Sequence, residues 1–348
     1  MNKERNLINR LQRSNLLMPL VCLAIVLLIN LIKTPAFFKI TIQNGALYGY
    51  IIDIVNRASE LVILALGMTF VVASSGGTDI SVGSVCCLAG SVMCVMLGEG
   101  EAYAVPYGVA LIACLITGVL CGAWNGFLVA KLKIQPMIAT LIMFTAGRGL
   151  SELITDGHVA DVNGPNFQMV SRLIPGIPVP TPIIIATVVV AITMFILKKT
   201  PLALYVQAVG IKKGASRIVG LHVERIIFLT YMLCSLYAAL SSVIITSRVS
   251  SCDPRYAGLN LELDAILSVA LGGNSLGGGK FNLWGTVIGA VTIQALTTSL
   301  YAMGVSSEVL PVYKAAAVIL IIALQTDVVK GYFKKFKKKA SERKEAAA

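Results

Sequence analysis

Long apolar runs, separated by short polar stretches, extend along almost the whole chain. Most have about the 17–25 residues that a helix needs to cross a bilayer, and they lack the strict apolar–polar alternation of a membrane β-barrel strand. Ten runs can be delimited, at 16–32, 58–74, 80–97, 105–130, 134–151, 182–197, 226–247, 264–273, 282–303 and 309–327. The pattern predicts an all-α polytopic membrane protein with about ten transmembrane helices, two of them short or interrupted. The run at 264–273 is too short to span unaided.

Composition agrees with this prediction and narrows the class. Of the 348 residues, 56% are hydrophobic and 13% charged, which is too little charge to cover the surface of a soluble domain. The net charge of +12 does not indicate nucleic-acid binding, because the basic excess is concentrated at the two ends and in one loop, without base-reading motifs. The basic tail is instead expected to lie against anionic lipid head groups.

The distribution of Lys and Arg orients the predicted helices. An even number of spans places both termini on one side, and 21 of the 29 basic residues then lie on that side, against seven on the other. Cytoplasmic loops carry the excess of Lys and Arg, so both termini are predicted to be cytoplasmic, in a cell inner (plasma) membrane. The first run has no nearby cleavage site and is predicted to be an uncleaved helix. The organisation is therefore a cytoplasmic segment at 1–15, a transmembrane domain at 16–327 and a cytoplasmic tail at 328–348.

A basic loop at 198–225 is predicted to face the cytoplasm. Short helices are predicted within it at 205–209 and 215–221, split by Gly210 and Gly214. The loop either fixes topology as a charged tether or supplies docking helices for a cytoplasmic partner. On the opposite side, the Pro-rich loop at 152–181 is either an external ledge or a plain connector.

Two stretches interrupt the simple pattern of spans. An apolar helix at 61–73 runs into the polar, glycine-rich stretch 74–84, and another at 265–271 runs into 272–280. Both continue with Gly-Gly, two polar residues, an aliphatic residue and small residues, a weak internal repeat that suggests a pseudo-two-fold arrangement. Paired interruptions at membrane depth are typical of a translocation pathway, although each also fits a tight cytoplasmic turn. Asp79 either caps the next helix or lines the path.

No catalytic or nucleotide-binding signature is present in the sequence. The run at 277–280 ends in Gly-Lys but fails as a phosphate-binding loop, because that motif needs Gly where Asn274 stands and Ser or Thr where Phe281 stands. No nucleophile, base and orienter can be assembled. The chain is expected to be no enzyme and to hold no cofactor.

Charged residues near the apolar runs are expected to form ion pairs within their own helices. Arg148 and Glu152 stand four residues apart, on one helical face. Asp53, Arg57 and Glu60 occupy successive turns and are expected to pair in the same way.

Lys314 lies within an apolar run, so it is expected to snorkel or to find a partner in the bundle. Seven of the eight Cys also lie in apolar runs, and only two His are present. This usage predicts buried Cys side chains, with no disulfide framework and no metal site.

Several blocks of sequence carry a resemblance to a known family. They are GMTFVVA at 67–73, TDISVGS at 78–84, WNGFLVA at 124–130, IQPMIATL at 134–141, AGRG at 146–149, AVG at 208–210, ELDAI at 262–266 and GGKF at 278–281. Together they resemble the permease subunits of ribose-type monosaccharide ABC importers, over nearly the whole predicted membrane domain. LITDG at 153–157 and KFNL at 280–283 look closest to the galactofuranose subgroup.

The resemblance implies the transport subunit of an ATP-driven importer for a monosaccharide of the ribose, galactose or galactofuranose class. It implies three partners: a second permease copy or homologue, a cytoplasmic ABC ATPase that holds ATP and Mg²⁺, and an extracytoplasmic sugar-binding protein. A nucleoside ABC permease is the alternative, because its sequence blocks overlap with these. An ion-coupled secondary transporter is a more distant one.

The resemblance also assigns candidate residues. Coupling to the ATPase is expected at Val209, Gly210, Gly214, Ala215, Ser216, Arg217, Gly220 and Leu221. The candidate translocation path consists of Thr78, Asp79, Ser81, Asn125, Asn274 and Ser275. Lys212, Lys213 and Ser216 depart from the usual family pattern inside the coupling segment.

Overall fold

The computed structural model describes residues 16–325, apart from residues 34, 44–45, 166 and 173–177. The predicted cytoplasmic segment at 1–15 and the predicted basic tail at 328–348 lie outside the described residues.

Twelve α-helices lie in the described part of the chain, and every predicted apolar run coincides with one of them. They are α1 (Leu17–Lys33), α2 (Tyr50–Ser75), α3 (Val82–Leu97), α4 (Tyr107–Ala130), α5 (Pro136–Ile154), α6 (Thr181–Lys199), α7 (Leu202–Ile211), α8 (Lys213–Ile218), α9 (Val223–Val249), α10 (Leu261–Leu271), α11 (Leu283–Ala302) and α12 (Leu310–Gln325). The loop at 198–225 contains α7 and α8.

In the described part of the chain, strands form only two short antiparallel pairs. β1 (Thr41–Gln43) pairs with β2 (Ala46–Tyr48), and β3 (Ala160–Asp161) pairs with β4 (Ser251–Cys252). The second pair joins the Pro-rich loop after α5 to the chain that leaves α9. Short 3₁₀ helices occupy Pro35–Phe38 and Phe167–Val170.

Six of the described helices are long and apolar enough to cross a bilayer: α2, α4, α5, α6, α9 and α11. Four further apolar helices, α1, α3, α7 and α12, are shorter. These lengths confirm the prediction of a polytopic helical membrane protein. The count of ten spans and the pseudo-two-fold repeat stay predictions.

Helix α2 forms the centre of the bundle. Every residue from 61 to 75 is buried, and α2 packs against α6, α7, α9, α10 and α11. A helix that is apolar on all sides lies either in lipid or inside the protein, and the burial of α2 places it inside the protein. Its contacts are close, since the Thr69 and Thr286 hydroxyls share a hydrogen bond of 2.8 Å between α2 and α11.

Small residues bring α4 and α9 together. Gly118, Gly122 and Gly126 recur every four residues, and a Cβ added to any of them would lie within 2.9 Å of an atom on α9. Such small-xxx-small patterns allow helix backbones to approach closely inside a membrane, where packing takes over from the hydrophobic effect. The apolar pattern alone did not predict this interface.

In the basic loop at 198–225, the two short helices do not lie at the predicted positions. Gly210 and Gly214 do not split them, because Gly210 lies inside α7 and Gly214 inside α8. The break falls instead at Lys212, whose backbone is extended with φ −157°. The Ser216 hydroxyl closes the corner by donating to the Ala208 carbonyl oxygen at 2.8 Å.

A further interruption, which sequence reasoning missed, follows α9. The chain leaves α9 at Ser250 and runs without a helix to Asn260, and both of these residues adopt left-handed φ values, of 59° and 64°. Part of it packs against the bundle, because Pro254 and Gly258 are buried and a Cβ added to Gly83 would lie 2.5 Å from the Gly258 carbonyl oxygen, while Arg255, Tyr256, Leu259 and Asn260 are exposed. We refer to residues 250–260 as the re-entrant segment.

Two of the predicted ion pairs are wrong. Arg148 does not pair with Glu152, because its guanidinium donates to the carbonyl oxygens of Pro254 and Ala257. Glu60 pairs with Arg248 on α9 at 2.6 Å, and neither Asp53 nor Arg57 forms a salt bridge within the described residues. Arg148 and Glu60 thus find their partners in distant parts of the chain, and spacing along one helix does not reveal such partners.

Lys314 pairs with a side chain inside the bundle, which is one of the two alternatives predicted for it; the other was to snorkel. Its ammonium lies 2.8 Å from a carboxylate oxygen of Asp264, so the pair joins α12 to the first turn of α10. All eight Cys are buried, including Cys252 in the re-entrant segment.

Candidate coupling and translocation sites

The two predicted interruptions meet at one place in the structure. The Gly279 N–H donates to the Ala73 carbonyl oxygen at 3.0 Å, across the gap between the end of α2 and the turn before α11. A Cβ added to Gly76 would lie 2.9 Å from the Gly277 carbonyl oxygen. Both breaks therefore depend on the close approach of bare backbone, which glycine permits.

The basic loop contacts this same place through α7 and α8. A Cβ added to Gly210 would overlap the Ala73 carbonyl oxygen and would lie 2.5 Å from the Gly279 nitrogen. The Lys213 ammonium donates to the Ser75 carbonyl oxygen at 3.1 Å, at the end of α2. We call the contact among residues 73–77, 210–213 and 277–279 the coupling junction.

The predicted coupling residues divide into an inner and an outer set. Val209 and Ser216 are buried, and Gly210 is half-buried against α2. Leu221 is also half-buried, and the remaining four are exposed: Gly214, Ala215, Arg217 and Gly220. The inner set fixes the loop to the bundle, and the outer set leaves a surface free.

That free surface is apolar as well as basic. Ile218 is 88% exposed and Val219 is 81% exposed, beside the exposed cations Lys212 and Arg217. Leu204 and Ile211 add further exposed aliphatic area along α7. Aliphatic side chains that protrude beside basic residues are typical of a protein-binding surface rather than of a simple charged tether.

Three of the predicted path residues form one buried cluster at the first break. Asp79 Oδ1 accepts hydrogen bonds from the Ser81 N–H at 2.9 Å and from the Ser81 hydroxyl at 2.6 Å. The Asn125 amide donates to the same hydroxyl at 2.8 Å, from α4. All three side chains are fully buried within the subunit. Asp79 therefore closes the turn that precedes α3, whereas the N-cap position is Ser81, with no capping hydrogen bond from its side chain. The choice between a cap and a path residue stays a prediction.

The cluster keeps unused hydrogen-bonding capacity. Asp79 Oδ2 and Asn125 Oδ1 have no oriented hydrogen-bond partner among the described residues, and neither does the hydroxyl of nearby Tyr231. The Cys234 thiol also lies close to the Asp79 carboxylate. Buried polar atoms of this kind are normally satisfied by ordered water, so the cluster fits a small internal water site.

Substitution of Asp79 separates its two predicted roles. Asp79→Asn keeps the Oδ1 acceptor, so we expect both thermal stability and uptake close to those of the wild type. Asp79→Ala leaves the Ser81 N–H buried without its acceptor, at a cost of ~1–3 kcal/mol, and should lower the apparent melting temperature in detergent. If Asp79→Asn is stable but transports nothing, the carboxylate acts in the path and not only as a cap.

A second polar cluster closes the turn before α11. The Asn274 amide donates to the Thr286 hydroxyl at 2.9 Å, and Asn274 Oδ1 accepts from the Asn282 N–H at 2.6 Å. The other predicted path residues join neither cluster, since Thr78 is half-buried and Ser275 is exposed. The assignment of all six residues to the path stays a prediction.

The long buried helix, the paired breaks and the protruding loop define a polytopic membrane permease. Residues 50–324 match the family described as branched-chain amino acid transport system / permease component, and the chain belongs to this family.

Relatives with assigned substrates are also similar along most of their length. The galactofuranose transporter permease protein YtfT of Escherichia coli (strain K12) is 42% identical over 88% of each chain. The ribose import permease protein RbsC of the same strain is 37% identical over 86% of this chain and 91% of its own. The fructose import permease protein FruF of Bifidobacterium longum is 33% identical over 99% and 96%. No solved structure matches the chain. The resemblance to sugar ABC permeases is confirmed.

Proposed function

We propose that this chain is the permease subunit of an ATP-driven ABC importer and forms the translocation path for a monosaccharide. The observation that carries the proposal is the coupling junction, where an exposed cytoplasmic surface contacts both interrupted segments directly. The substrate class is supported by relatives named for galactofuranose, ribose and fructose. ATP and Mg²⁺ bind the partner ATPase in this scheme.

Force reaches the path through α7 and α8. The ATPase engages Ile218, Val219 and the neighbouring basic residues, and its closure on ATP moves the loop. Gly210 and Lys213 pass this movement to the end of α2 and to the turn before α11. The two breaks therefore shift together.

The complete importer contains two permease copies, or this chain with a homologue, and an extracytoplasmic sugar-binding protein that delivers the substrate. Ten helices, including the short α10, cross the inner membrane, and both termini are cytoplasmic. The Gly-Gly turns after α2 and α10 correspond to each other in a pseudo-two-fold repeat. Contact between these turns supports that correspondence.

Purification from the native membrane in mild detergent, followed by mass spectrometry, tests the partner ATPase. The complex is then reconstituted in liposomes that enclose ATP, with the binding protein outside and labelled ribose, galactose, galactofuranose or a nucleoside as substrate. ATP-dependent uptake of a monosaccharide supports the proposal. Uptake of the nucleoside alone identifies the alternative ABC permease, and uptake by the isolated chain without ATP overturns the proposal in favour of a secondary carrier.

Ile218→Asp should release the ATPase without displacing the permease from the membrane. Burial of an exposed Ile contributes about 1.5–3 kcal/mol, and a charge at that place adds a desolvation penalty, so co-purified ATPase should fall about tenfold or more. Val159→Asp serves as a matched control, because Val159 is also exposed and apolar but lies in the loop predicted on the opposite side. Equal ATPase recovery with Ile218→Asp and the wild type would contradict the docking assignment.

A further inference from the structure

The re-entrant segment forms no helix, but turns hold part of it: the Ala257 N–H donates to the Asp253 carbonyl oxygen at 2.8 Å, and the Leu259 N–H donates to the Tyr256 carbonyl oxygen at 3.1 Å. It enters beside β3, where Cys252 pairs with Ala160, and reaches the first turn of α3, where Gly258 contacts Gly83. Carbonyl oxygens of its buried residues need donors from the protein, because an unpaired buried polar group is costly. The origin of those donors decides how firmly the segment is held.

Arg148 supplies two of them from α5. Its Nη1 donates to the Ala257 carbonyl oxygen at 2.6 Å and to the Pro254 carbonyl oxygen at 3.2 Å. The Cys87 thiol adds a weaker hydrogen bond to Pro254 at 3.3 Å. Hydrogen bonds from a guanidinium are charge-assisted and stronger than those between neutral groups. An ionisable side chain within a membrane helix is costly, so its position indicates a specific role.

The first turn of α10 packs beside the re-entrant segment, against the same part of α3. Glu262 is 5% exposed, and its Oε2 has no hydrogen-bond partner among the described residues. Its carboxylate lies directly against Gly83, the residue that also contacts Gly258 of the re-entrant segment. Within the described residues no salt bridge joins Glu262 to Arg148, and Arg148 Nη2 is buried without a hydrogen-bond partner.

Helix α10 connects this end of the bundle to the coupling junction. Its 11 residues extend over about 16 Å and finish at Leu271, next to the turn that contacts Ala73 and Gly76. Lys314 fixes the first turn of α10 from the side of α12, through Asp264. The start of α10 is therefore held directly by Lys314, and it lies against the same residue, Gly83, as the re-entrant segment that Arg148 contacts.

We propose that Arg148 is a positioning residue of the transport cycle, which holds the re-entrant segment and the start of α10 so that movement at the coupling junction reaches the opposite half of the subunit. This inference rests on the permease function proposed above. Without the guanidinium the segment loosens, and ATP hydrolysis no longer drives uptake. Cys252 lies in the segment with only 1% of its surface exposed, so loosening of the segment should expose its thiol. This consequence can be measured without substrate.

The experiment uses the full transporter in proteoliposomes, with a membrane-impermeant maleimide added outside and labelled Cys252 quantified by peptide mass spectrometry. Arg148→Lys, Arg148→Gln and Arg148→Met retain progressively fewer donors. Arg148→Met should raise the labelling rate of Cys252 about tenfold or more, since local opening controls access to a buried thiol. Thr145→Ala is the matched control, because Thr145 is exposed on the same helix and its hydroxyl donates within that helix.

The proposal is supported if Arg148→Met shows rapid labelling of Cys252 and loses uptake but keeps ATP hydrolysis. Arg148→Lys should then restore both the protection of Cys252 and uptake. Protection of Cys252 in Arg148→Met equal to that in the wild type overturns it. Equal labelling and equal loss of uptake in the Lys and Met variants also overturns it, since the donors would then not matter. If Arg148→Met does not accumulate, Arg148→Gln provides the same comparison. Failure of the wild type to transport sugar would refute the function, while the labelling comparison would still decide the role of Arg148.

Discussion

Gly210→Ala should abolish ATP-driven uptake while leaving the permease in the membrane. The added Cβ would overlap the Ala73 carbonyl oxygen and would lie 2.5 Å from the Gly279 nitrogen, and both of these are backbone atoms. Backbone cannot rotate away as a side chain does, so α7 must separate from α2. Overpacking of this kind costs ~1–3 kcal/mol, and a loss of about 1.4 kcal/mol at the coupling step already corresponds to a tenfold change.

Initial rates of uptake in proteoliposomes, normalised to the amount of permease, measure this effect. ATP hydrolysis by the bound ATPase should continue, because Gly210 lies on the inner side of the loop. Gly214→Ala is the matched control, since a Cβ at Gly214 meets nothing within 4 Å. Its uptake should stay close to that of the wild type, because the added Cβ meets no neighbouring atom of the described residues and Ala is compatible with a helix. Wild-type uptake by Gly210→Ala, or equal losses in both variants, would show that the junction does not transmit force.

Lys314→Met should destabilise the permease more than loss of an exposed ion pair does. It leaves the Asp264 carboxylate, with a side chain 17% exposed, without its cation in the bundle. Removal of one partner from a buried pair costs ~3–5 kcal/mol, because the remaining charge is neither solvated nor paired. The apparent melting temperature in detergent and the amount of protein in the membrane should both fall.

Two comparisons separate loss of the pair from loss of Lys314 itself. The double variant Asp264→Leu/Lys314→Met should recover most of the stability, since an apolar pair of similar volume is often neutral or stabilising. Glu224→Gln removes the exposed Arg217–Glu224 pair, with side chains 36–51% exposed, and should cost less than ~1 kcal/mol. A double variant as unstable as Lys314→Met would exclude the ion pair as the cause.

The apolar runs predicted the helices because a membrane span leaves a continuous signal in the sequence. Each of the ten runs coincides with a helix, and both glycine-rich interruptions lie between helices, at 76–81 and 272–282. The re-entrant segment was missed for the same reason. It lies between α9 and α10 and contains polar and turn-forming residues, so from sequence it resembles an external loop.

The ion pairs show where spacing along a helix fails. Glu60 pairs with Arg248, far along the chain, and Arg148 binds backbone carbonyls that no sequence pattern pairs with it. At the candidate site, the sequence identified Asp79 and Asn125 separately. It did not predict that both side chains form hydrogen bonds with the same group, the Ser81 hydroxyl. The regular recurrence of Gly118, Gly122 and Gly126 was the available signal for the α4–α9 contact.

The sequence by itself determined the class of this protein, its helices, its family and the loop at 198–225 as a candidate docking segment. Those properties depend on local composition and on motifs, which can be read along one chain. Only the tertiary structure decided that the two interruptions meet, that Gly210 lies against both of them, and that Arg148 donates hydrogen bonds to the re-entrant segment. Contacts between helices depend on which faces pack and at what depth, and in a membrane bundle the small residues and buried charges that fix these contacts lie far apart in the sequence.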